Sequence, residues 1–403
     1  MNVIFLTISR IREIKSRGIY ADLMRKFRDE GHNVYIVTPF ERQFALPTSL
    51  SEGDGIHILG VQTFNIQKTN VVEKGIGTIL LEYQYKKAIK KYLNGISFDL
   101  ILYSTPPITF TKVVKFLKKK NPEAVAYLLL KDIFPQNAVD LGMFAKGSLF
   151  YKYFRSKEVN LYKNSDYIGC MSPANVEFVL NHNKYITQGK VEVAPNSIEL
   201  VEKPGKIDRE NIRKRYNLPV DKAIFIYGGN LGKPQGVDFL IKCLDANKDR
   251  NDCHFLIVGN GTEYPKIENW YRNNASSNTT LLARLPKEEY DFLVQSCDVG
   301  LIFLDNRFSI PNYPSRLLSY LEFKMPIIAA TDINSDLGII AVVNGYGYWC
   351  ESKEVGDFNI CIDKFLREPE TIKKMGENGY RFLLNNYQVK YTYQKIISHI
   401  KKL

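Results

Sequence analysis

The sequence has no apolar stretch long enough to cross a membrane. Its longest unbroken apolar run is Ala124–Leu130, whereas a membrane-spanning helix needs about 20 residues. Apolar Val3–Leu6 has no positive charge before it and is followed at once by Arg10 and Arg12, which indicates a first strand and not a signal peptide. We therefore expect a cytoplasmic protein.

Cysteine and histidine are also scarce, with six and five residues among 403. The cysteines show no CxxC spacing, so we expect reduced, mostly buried thiols and neither a disulfide scaffold nor a structural zinc site. No Asp-x-Asp pair and no histidine cluster has metal-ligand spacing, and we expect no metal and no cofactor.

The length and the charge point to two domains and an anionic partner. A chain of 403 residues exceeds the roughly 250–300 residues at which single cores stop growing. Residues 1–200 hold 27 Lys and Arg against 18 Asp and Glu, whereas the remainder holds 28 against 25. A basic N-terminal half suits nucleic acid, a membrane surface or a phosphorylated substrate, although a solvated lysine face explains it equally well.

Short apolar runs alternate with long amphipathic stretches, which predicts an α/β protein with parallel sheets. The predicted strands are 2–8, 33–38, 56–61, 99–103, 124–130, 166–170, 191–194, 223–227, 254–258, 279–283, 298–304, 326–330 and 347–349. The predicted domains are an N-terminal Rossmann-like domain over 1–195, a linker with a leading helix over 196–222, a C-terminal Rossmann-like domain over 223–384, and a C-terminal helix over 385–403. That last helix is expected to pack back on the first domain.

Three motifs in the second half carry candidate chemistry. The segment Gly228–Gly236 holds four glycines and Lys233 between a strand and a helix, which suits close approach of a phosphate, although a plain tight turn is as good an explanation. A second glycine turn follows at Val258–Gly261. In the third motif, Pro314–Glu322, Ser315 is expected to cap a helix, and the Glu322 carboxylate suits a ribose diol or simply a solvated helix position.

Together the three motifs resemble the nucleotide-binding domain of family 4 GT-B glycosyltransferases. The segment 130–139 and the run Pro314–Glu322 are similar to the WbuB-like subgroup, which builds O-antigen and capsular repeat units. The resemblance implies a GT-B fold, in which two Rossmann-like domains face each other across a cleft. It also implies a set of donor-binding residues: Gly229, Asn230, Lys233, Arg284, Leu285, Ser315, Arg316, Leu317 and Glu322.

The sequence departs from that family at several positions. Pro314 replaces the first glutamate of the E-x7-E motif, Asn230 replaces an arginine, and Gln235 replaces a lysine. The resemblance therefore leaves Lys233 and Arg316 to offset the diphosphate charge. Where the family often has a catalytic histidine, this chain has Lys131 and Asp132; Asp132 is a candidate base, and a cap for the following turn is an equal alternative.

The remaining candidates lie in the basic N-terminal half. The loop with Arg10, Arg12, Arg17 and Gly18 is expected to touch the acceptor or the donor phosphates. In the helix over 108–120, Lys112, Lys115 and Lys119 share one face with Lys118 beside it, while Val113, Phe116 and Leu117 are expected to face the sheet. These lysines, and those over 86–91, suit an anionic membrane surface.

The resemblance implies an enzyme that moves a sugar, such as N-acetylfucosamine, from a UDP-sugar to a polyprenyl-diphosphate-linked glycan. We expect it to act peripherally on the inner face of the plasma membrane. The alternatives are a nucleotide-sugar epimerase of the same fold and a basic nucleic-acid-binding protein. No RNA- or DNA-binding pattern is present, so nucleic acid is not an expected partner.

Overall fold

The computed structural model describes residues 1–66, 71–200, 207–274 and 277–400, which form two compact units. Unit 1 comprises Met1–Glu199 and the C-terminal segment from Val389, and unit 2 comprises Leu200–Gln388. The Pro204-Gly205 pair of the predicted linker lies outside the described residues.

Unit 1 contains a predominantly parallel sheet. Its strands are β1 Asn2–Leu6, β2 Asn33–Glu41, β3 Ser49–Gly53, β4 Ile56–Thr63, β5 Leu100–Ser104, β6 Val125–Leu130, β7 Tyr167–Cys170 and β8 Val191–Val193. Its first helices are α1 Ile19–Asp29, α2 Val71–Tyr92, α3 Thr111–Lys120, α4 Gln136–Asp140, α5 Leu149–Asn164 and α6 Pro173–His182. The strand order is β3-β4-β2-β1-β5-β6-β7-β8, and only the β3–β4 pair of these described strands is antiparallel.

Unit 2 contains a second, wholly parallel sheet. Its strands are β9 Ala223–Asn230, β10 Cys253–Asn260, β11 Thr279–Leu282, β12 Val299–Phe303, β13 Ile327–Thr331 and β14 Gly347–Glu351, in the order β11-β10-β9-β12-β13-β14. Its helices are α7 Arg209–Arg215, α8 Val237–Ala246, α9 Tyr264–Asn274, α10 Lys287–Gln295, α11 Arg316–Glu322, α12 Leu337–Val343, α13 Val355–Arg367 and α14 Glu370–Asn386.

The chain then returns to unit 1 as helix α15, Val389–Ile397, which packs against α1. The Tyr393 hydroxyl lies 2.9 Å from His32 Nε2, and its ring contacts Phe27. Beyond the helix, His399 Nε2 lies 2.9 Å from Glu192 Oε1. These contacts fasten the C-terminal segment to the sheet of unit 1.

The central strands are apolar runs that are buried along their whole length, as in β1, where Val3–Leu6 are fully buried. Such runs are typical of parallel sheets covered by helices on both faces. All predicted strands are present, with ends shifted by a few residues. Strand β3 was not predicted, because its five residues are all exposed and a polar strand carries no apolar pattern.

Three helices, α4, α6 and α12, were also not predicted, and α4 is only five residues long. Helix α6 begins after Ser172, whose hydroxyl accepts a hydrogen bond from the Asn175 amide, and Pro173 occupies its first position. Serine followed by proline is a recognised helix start, so that signal was present in the sequence. Helix α12 is rich in Ile and Val, which favour strands, and the sequence there has no alternation of apolar and polar residues.

The lysines of α3 differ partly from the expected arrangement. Lys112, Lys115 and Lys119 are exposed, but Lys118 donates hydrogen bonds to the Ala124 carbonyl and to Asp166. Phe116 is half-buried and lies under three lysine ammonium groups, each 5.4 Å from its ring centre. The prediction that Phe116 faces the sheet is therefore wrong, because lysines from α2 and α3 cover it.

Candidate active site

The two glycine turns of unit 2 lie side by side at the carboxyl ends of β9 and β10. Gly229 pairs with Gly259 and Asn230 with Asn260 in the parallel register. A Cβ atom on Gly259 would lie 1.9 Å from the Gly229 carbonyl oxygen, so only glycine permits this backbone contact. Gly229 also has a φ of +118°, which favours glycine again. Ligands of open parallel sheets bind at such strand ends.

The polar side chains of the first turn bond to one another. Asn230 Nδ2 donates to Gln235 Oε1 at 2.9 Å, and the Gly232 amide donates to the same oxygen at 3.2 Å. Asn230 and Gln235 are the two positions at which the resembled family has basic residues. The turn is therefore closed by a neutral amide pair.

Arg316, the first residue of α11, lies beside this turn. Its Cζ lies 4.3 Å from the ring centre of Tyr227, and its Nη2 approaches the Asn230 carbonyl at 3.5 Å. Its Nη1 is buried and has no hydrogen-bond partner among the described residues, and no ion pair links Arg316 to a carboxylate there. Since a buried N–H group without an acceptor is costly, the Nη1 atom suits an anionic group of a ligand.

Three tyrosines surround the Arg316 side chain, and none of them was predicted from the sequence as a site residue. Besides Tyr227, they are Tyr320 and Tyr290, and a Cβ atom on Gly228 would lie 1.8 Å from the Tyr290 hydroxyl. Burial raises the pKa of Tyr320 to about 12, so its hydroxyl stays protonated. It accepts a hydrogen bond from the Gly228 amide and donates to the Ile226 carbonyl, both at 3.1 Å. The sequence signal was the spacing of Arg316 and Tyr320, four residues apart on one helix face.

The rest of the Pro314–Glu322 motif is mostly buried. Ser315 precedes α11 but its side chain makes no capping hydrogen bond, so that prediction is wrong; the residue has helical backbone angles, which a capping serine does not usually adopt. Leu317 is fully buried. Glu322 is 6 % exposed, which excludes a solvated position for its carboxylate.

Three further predicted donor-binding residues lie on the surface of unit 2 or close to it. Lys233 is exposed in the short turn before α8, and no side-chain hydrogen bond or ion pair of it occurs within the described ranges. Arg284 and Leu285 follow β11; Arg284 is exposed and Leu285 is half-buried. Their roles remain predictions.

In unit 1, Asp132 lies just beyond the carboxyl end of β6. The Thr105 Oγ1 atom accepts hydrogen bonds from the Lys131 and Asp132 amides at 3.0 and 3.3 Å, which fixes the backbone there. Asp132 Oδ1 accepts from Asn137 Nδ2 at 2.8 Å. Burial raises the pKa of Asp132 to about 6, although the hydrogen bonds from Asn137 and the Ile133 amide oppose the increase. A carboxylate of this pKa suits proton transfer near neutrality, and its bonds to the following turn are also those of a cap.

Lys131 points to a different neighbour. Its Nζ donates to the Ala194 carbonyl at 3.0 Å, next to buried Cys170. Burial lowers the pKa of Lys131 to about 7. The two residues predicted to be catalytic are thus adjacent in sequence, but their side chains have separate hydrogen-bond partners.

The predicted residues of the basic loop after β1 make two separate sets of contacts. The guanidinium groups of exposed Arg10 and Arg12 lie 4.0 and 5.5 Å from the centre of the Phe44 ring. Arg17 instead donates to the Glu199 carbonyl at 3.4 Å, and the Gly18 amide donates to Asp22 at 2.9 Å. The structure therefore brings Arg10 and Arg12 together, while Arg17 and Gly18 make structural contacts.

Each unit thus offers a different chemistry. Unit 2 presents glycine backbone and a guanidinium group, which bind phosphate, and unit 1 presents a carboxylate poised for proton transfer. Within the described ranges, no group of three or more His, Cys, Asp or Glu side chains is placed to hold a metal ion. None of the described helices is long and apolar enough to span a membrane.

Comparisons with known proteins give similarities to glycosyltransferases. Residues 208–382, which lie in unit 2, match the model of the family "Glycosyl transferases group 1". The chain is 20 % identical over 341 residues to the probable glycosyltransferase WbjE of Pseudomonas aeruginosa, covering 83 % of this chain and 82 % of that protein. It is 26 % identical over 134 residues, 32 % of each chain, to the putative colanic acid biosynthesis glycosyl transferase WcaI of Escherichia coli K12.

Solved structures show the fold along the whole chain. The sucrose-phosphate synthase of Thermosynechococcus elongatus superimposes with a TM-score of 0.76 at 15 % identity, covering 98 % of both chains. HepE of Anabaena, solved in complex with UDP, gives a TM-score of 0.69 at 14 % identity over 100 % of both chains. The GT-B fold predicted from the sequence is confirmed.

Proposed function

We propose that this chain, whose fold is GT-B, is a glycosyltransferase that transfers a sugar from a UDP-sugar to a polyprenyl-diphosphate-linked glycan in bacterial surface polysaccharide assembly. The names of WbjE and WcaI, and the UDP bound in HepE, support a nucleotide-sugar donor and a role in polysaccharide biosynthesis. An N-acetylated amino sugar such as N-acetylfucosamine is the proposed donor sugar. The proposed subgroup is WbuB-like, and the proposed place of action is the inner face of the plasma membrane.

One observation carries the proposal: a buried guanidinium nitrogen of Arg316 lacks a partner beside the Gly229 backbone. A diphosphate supplies the missing acceptor and the missing negative charge together. Lys233, exposed in the same turn, adds a second positive charge. We expect these two side chains to neutralise the charge of the diphosphate without a metal ion.

In the proposed reaction, the bond between the anomeric carbon and the diphosphate breaks while a bond to the acceptor hydroxyl oxygen forms. Arg316 and Lys233 stabilise the charge that develops on the departing UDP. If the reaction inverts the anomeric centre, Asp132 takes the acceptor proton. If the reaction retains it, Asp132 orients the acceptor and an oxygen of the departing diphosphate takes the proton. Glu322 holds the ribose diol, and Arg284 and Leu285 hold the base.

UDP calorimetry tests the assignment. Since a hydrogen bond to a charged group contributes about 1.5–3 kcal/mol, Arg316→Ala should weaken UDP binding at least tenfold. The matched control is Arg307→Ala in the same unit, because exposed Arg307 pairs with Asp305 and not with the glycine turn. Equal UDP affinity of Arg316→Ala and the wild type would contradict the proposal.

Turnover tests the reaction itself. The wild type is incubated with a panel of UDP-sugars and a polyprenyl-diphosphate-linked glycan, and UDP release is followed by product analysis. We expect release that depends on both substrates. Release without any glycan product would indicate hydrolysis and refute the transfer reaction.

A further inference from the structure

An exposed apolar segment of unit 1 lies between α4 and the second turn of α5. Met143, Leu149, Phe150 and Tyr153 are 61, 83, 70 and 43 % exposed. Leu149 and Tyr153 share one face of α5, and Phe150 lies beside them. Four large exposed side chains thus lie within eleven residues, and exposed apolar patches mark interaction sites.

The charged residues within this apolar segment and just after it are all positive. Residues 141–157 contain Lys146, Lys152, Arg155 and Lys157 but no Asp or Glu. Arg155 pairs with Glu158, and Lys157 lies 3.4 Å from Glu82. The ammonium groups of Lys146 and Lys152 have no hydrogen-bond or ion-pair partner in the described part of the chain, so apolar side chains alternate there with uncompensated positive charge.

The neighbouring helix extends the positive surface. Helix α3 packs against α5, and its exposed Lys112, Lys115 and Lys119 add three more ammonium groups. An apolar tip flanked by lysines matches a bilayer with anionic headgroups, in which apolar side chains enter the acyl boundary and lysines remain among the phosphates.

Aromatic packing connects residues 143–153 to the neighbourhood of Asp132, the candidate base. Phe144 and Phe154, which flank the exposed residues, lie with their ring centres 6.2 and 4.9 Å from Phe134. Phe134 is two residues from Asp132. The three phenylalanine rings pack together and so join the exposed segment to the loop that follows β6.

We propose that residues 143–153 insert into the interface of an anionic bilayer and place Asp132 near the membrane surface. This inference rests on the proposed function, because a polyprenyl-linked acceptor resides in such a bilayer. It differs from attraction by the lysines of α2 and α3 alone, since inserted apolar groups keep part of the affinity at high salt.

The test is cosedimentation with phosphatidylglycerol–phosphatidylcholine vesicles at low and high salt. Leu149→Ser combined with Phe150→Ser should weaken binding at least tenfold and abolish the fraction that resists salt. The control combines Ile339→Ser with Val343→Ser, because these residues of α12 in unit 2 are similarly exposed, at 56 and 78 %. Wild-type binding by the 149/150 variant, equal losses in both variants, or complete loss of wild-type binding at high salt would overturn the proposal.

A fluorescent reporter gives a direct reading. Phe150→Trp adds an indole in unit 1, and its signal is obtained by subtracting the wild-type spectrum. A blue shift with vesicles, and quenching by brominated acyl chains, is expected. An unchanged spectrum, or a blue shift in the protein alone that disappears on dilution and so reports self-association, would overturn membrane insertion.

The outcome is separable from that of the proposed function. UDP calorimetry needs no lipid, so a protein that binds UDP but no vesicle refutes only the membrane contact. A protein that binds vesicles but no UDP refutes the proposed donor and leaves the insertion supported.

Discussion

The side-chain amide of Asn230 donates a hydrogen bond to Gln235 Oε1 at 2.9 Å across the first glycine turn. In the family that the sequence resembles, these two positions carry an arginine and a lysine. The two departures are therefore structurally coupled, because a neutral pair that bonds to itself replaces two cations. Arg316 approaches the same turn from α11, so positive charge at the turn now comes from a different element.

A double-mutant cycle on this pair is the first prediction. Asn230→Ala and Gln235→Ala should each lower the free energy of unfolding, and their effects should not add, because each removes the same hydrogen bond. We expect a coupling energy of about 0.5–1.5 kcal/mol from denaturant unfolding. Gln235→Ala should cost more than Asn230→Ala, since Gln235 also accepts from the Gly232 amide. Additive effects would contradict the bond.

The second prediction concerns Glu322. If its carboxylate holds the ribose, Glu322→Gln should weaken UDP binding at least tenfold, because each hydrogen bond falls from about 1.5–3 kcal/mol to about 0.5–1.5 kcal/mol when the acceptor loses its charge. The amide keeps the volume of this buried side chain, so the fold should persist. Calorimetry should also show that the wild type prefers UDP to 2′-deoxy-UDP and that the variant loses this preference. A variant that binds UDP weakly yet keeps the preference would place Glu322 away from the ribose.

The third prediction is a pH profile. The folded pKa of Asp132, about 6, lies above its ordinary value of 3.8. A base with this pKa is ionised above pH 6, so kcat/KM should fall as the pH drops through about 6. Asp132→Asn should remove this limb and reduce turnover by about 10²-fold or more, while UDP affinity stays near that of the wild type.

The same variant tests the alternative role of Asp132. If the carboxylate only caps the turn to which Asn137 belongs, Asp132→Asn should lower Tm and leave the turnover of each folded molecule intact. Stability itself should follow the raised pKa. Between about pH 4 and pH 6 the folded state binds more protons at Asp132 than the unfolded state, so its ionisation destabilises the wild type progressively as the pH rises. The difference in Tm between the wild type and Asp132→Asn (wild type minus variant) should therefore decrease as the pH rises from about 4 to about 6.

Much of the fold could be predicted from the sequence because its signals are local. Buried parallel strands such as β1 and β6 are unbroken apolar runs, and the glycines at 228–229 and 259–261 mark the strand ends. The fold-level prediction of two Rossmann-like domains of the GT-B type is confirmed. The exposed strand β3 could not be found, because its pairing with β4 depends on the partner and not on its own residues.

The candidate site could be predicted only in part, for a physical reason. Residues at strand ends, such as Gly229 and Asp132, follow from sequence order. The tyrosines around Arg316 come from β9, α10 and α11, and no single stretch of sequence brings Tyr227, Tyr290 and Tyr320 together. The partners of Lys131 are equally remote, since its Nζ bonds to Ala194, 63 residues away.

The last prediction concerns the contact between the two glycine turns. Gly259→Ala should destabilise unit 2, because the new Cβ would lie 1.9 Å from the Gly229 carbonyl oxygen and the backbone of β9 would have to move. Overpacking of this kind lowers the free energy of unfolding by about 1–3 kcal/mol. We expect a loss near the upper end of that range, because the neighbouring atom belongs to the backbone and cannot move aside easily. Gly356→Ala is the control, because Gly356 lies in helix α13 and a Cβ atom there would have no neighbouring atom within 4 Å. Alanine at this position should raise the free energy of unfolding by about 0.5–1 kcal/mol. Saturating UDP should restore part of the Tm lost in Gly259→Ala if the displaced turn still binds the nucleotide. A Tm unchanged by Gly259→Ala would show that the two turns do not touch as described.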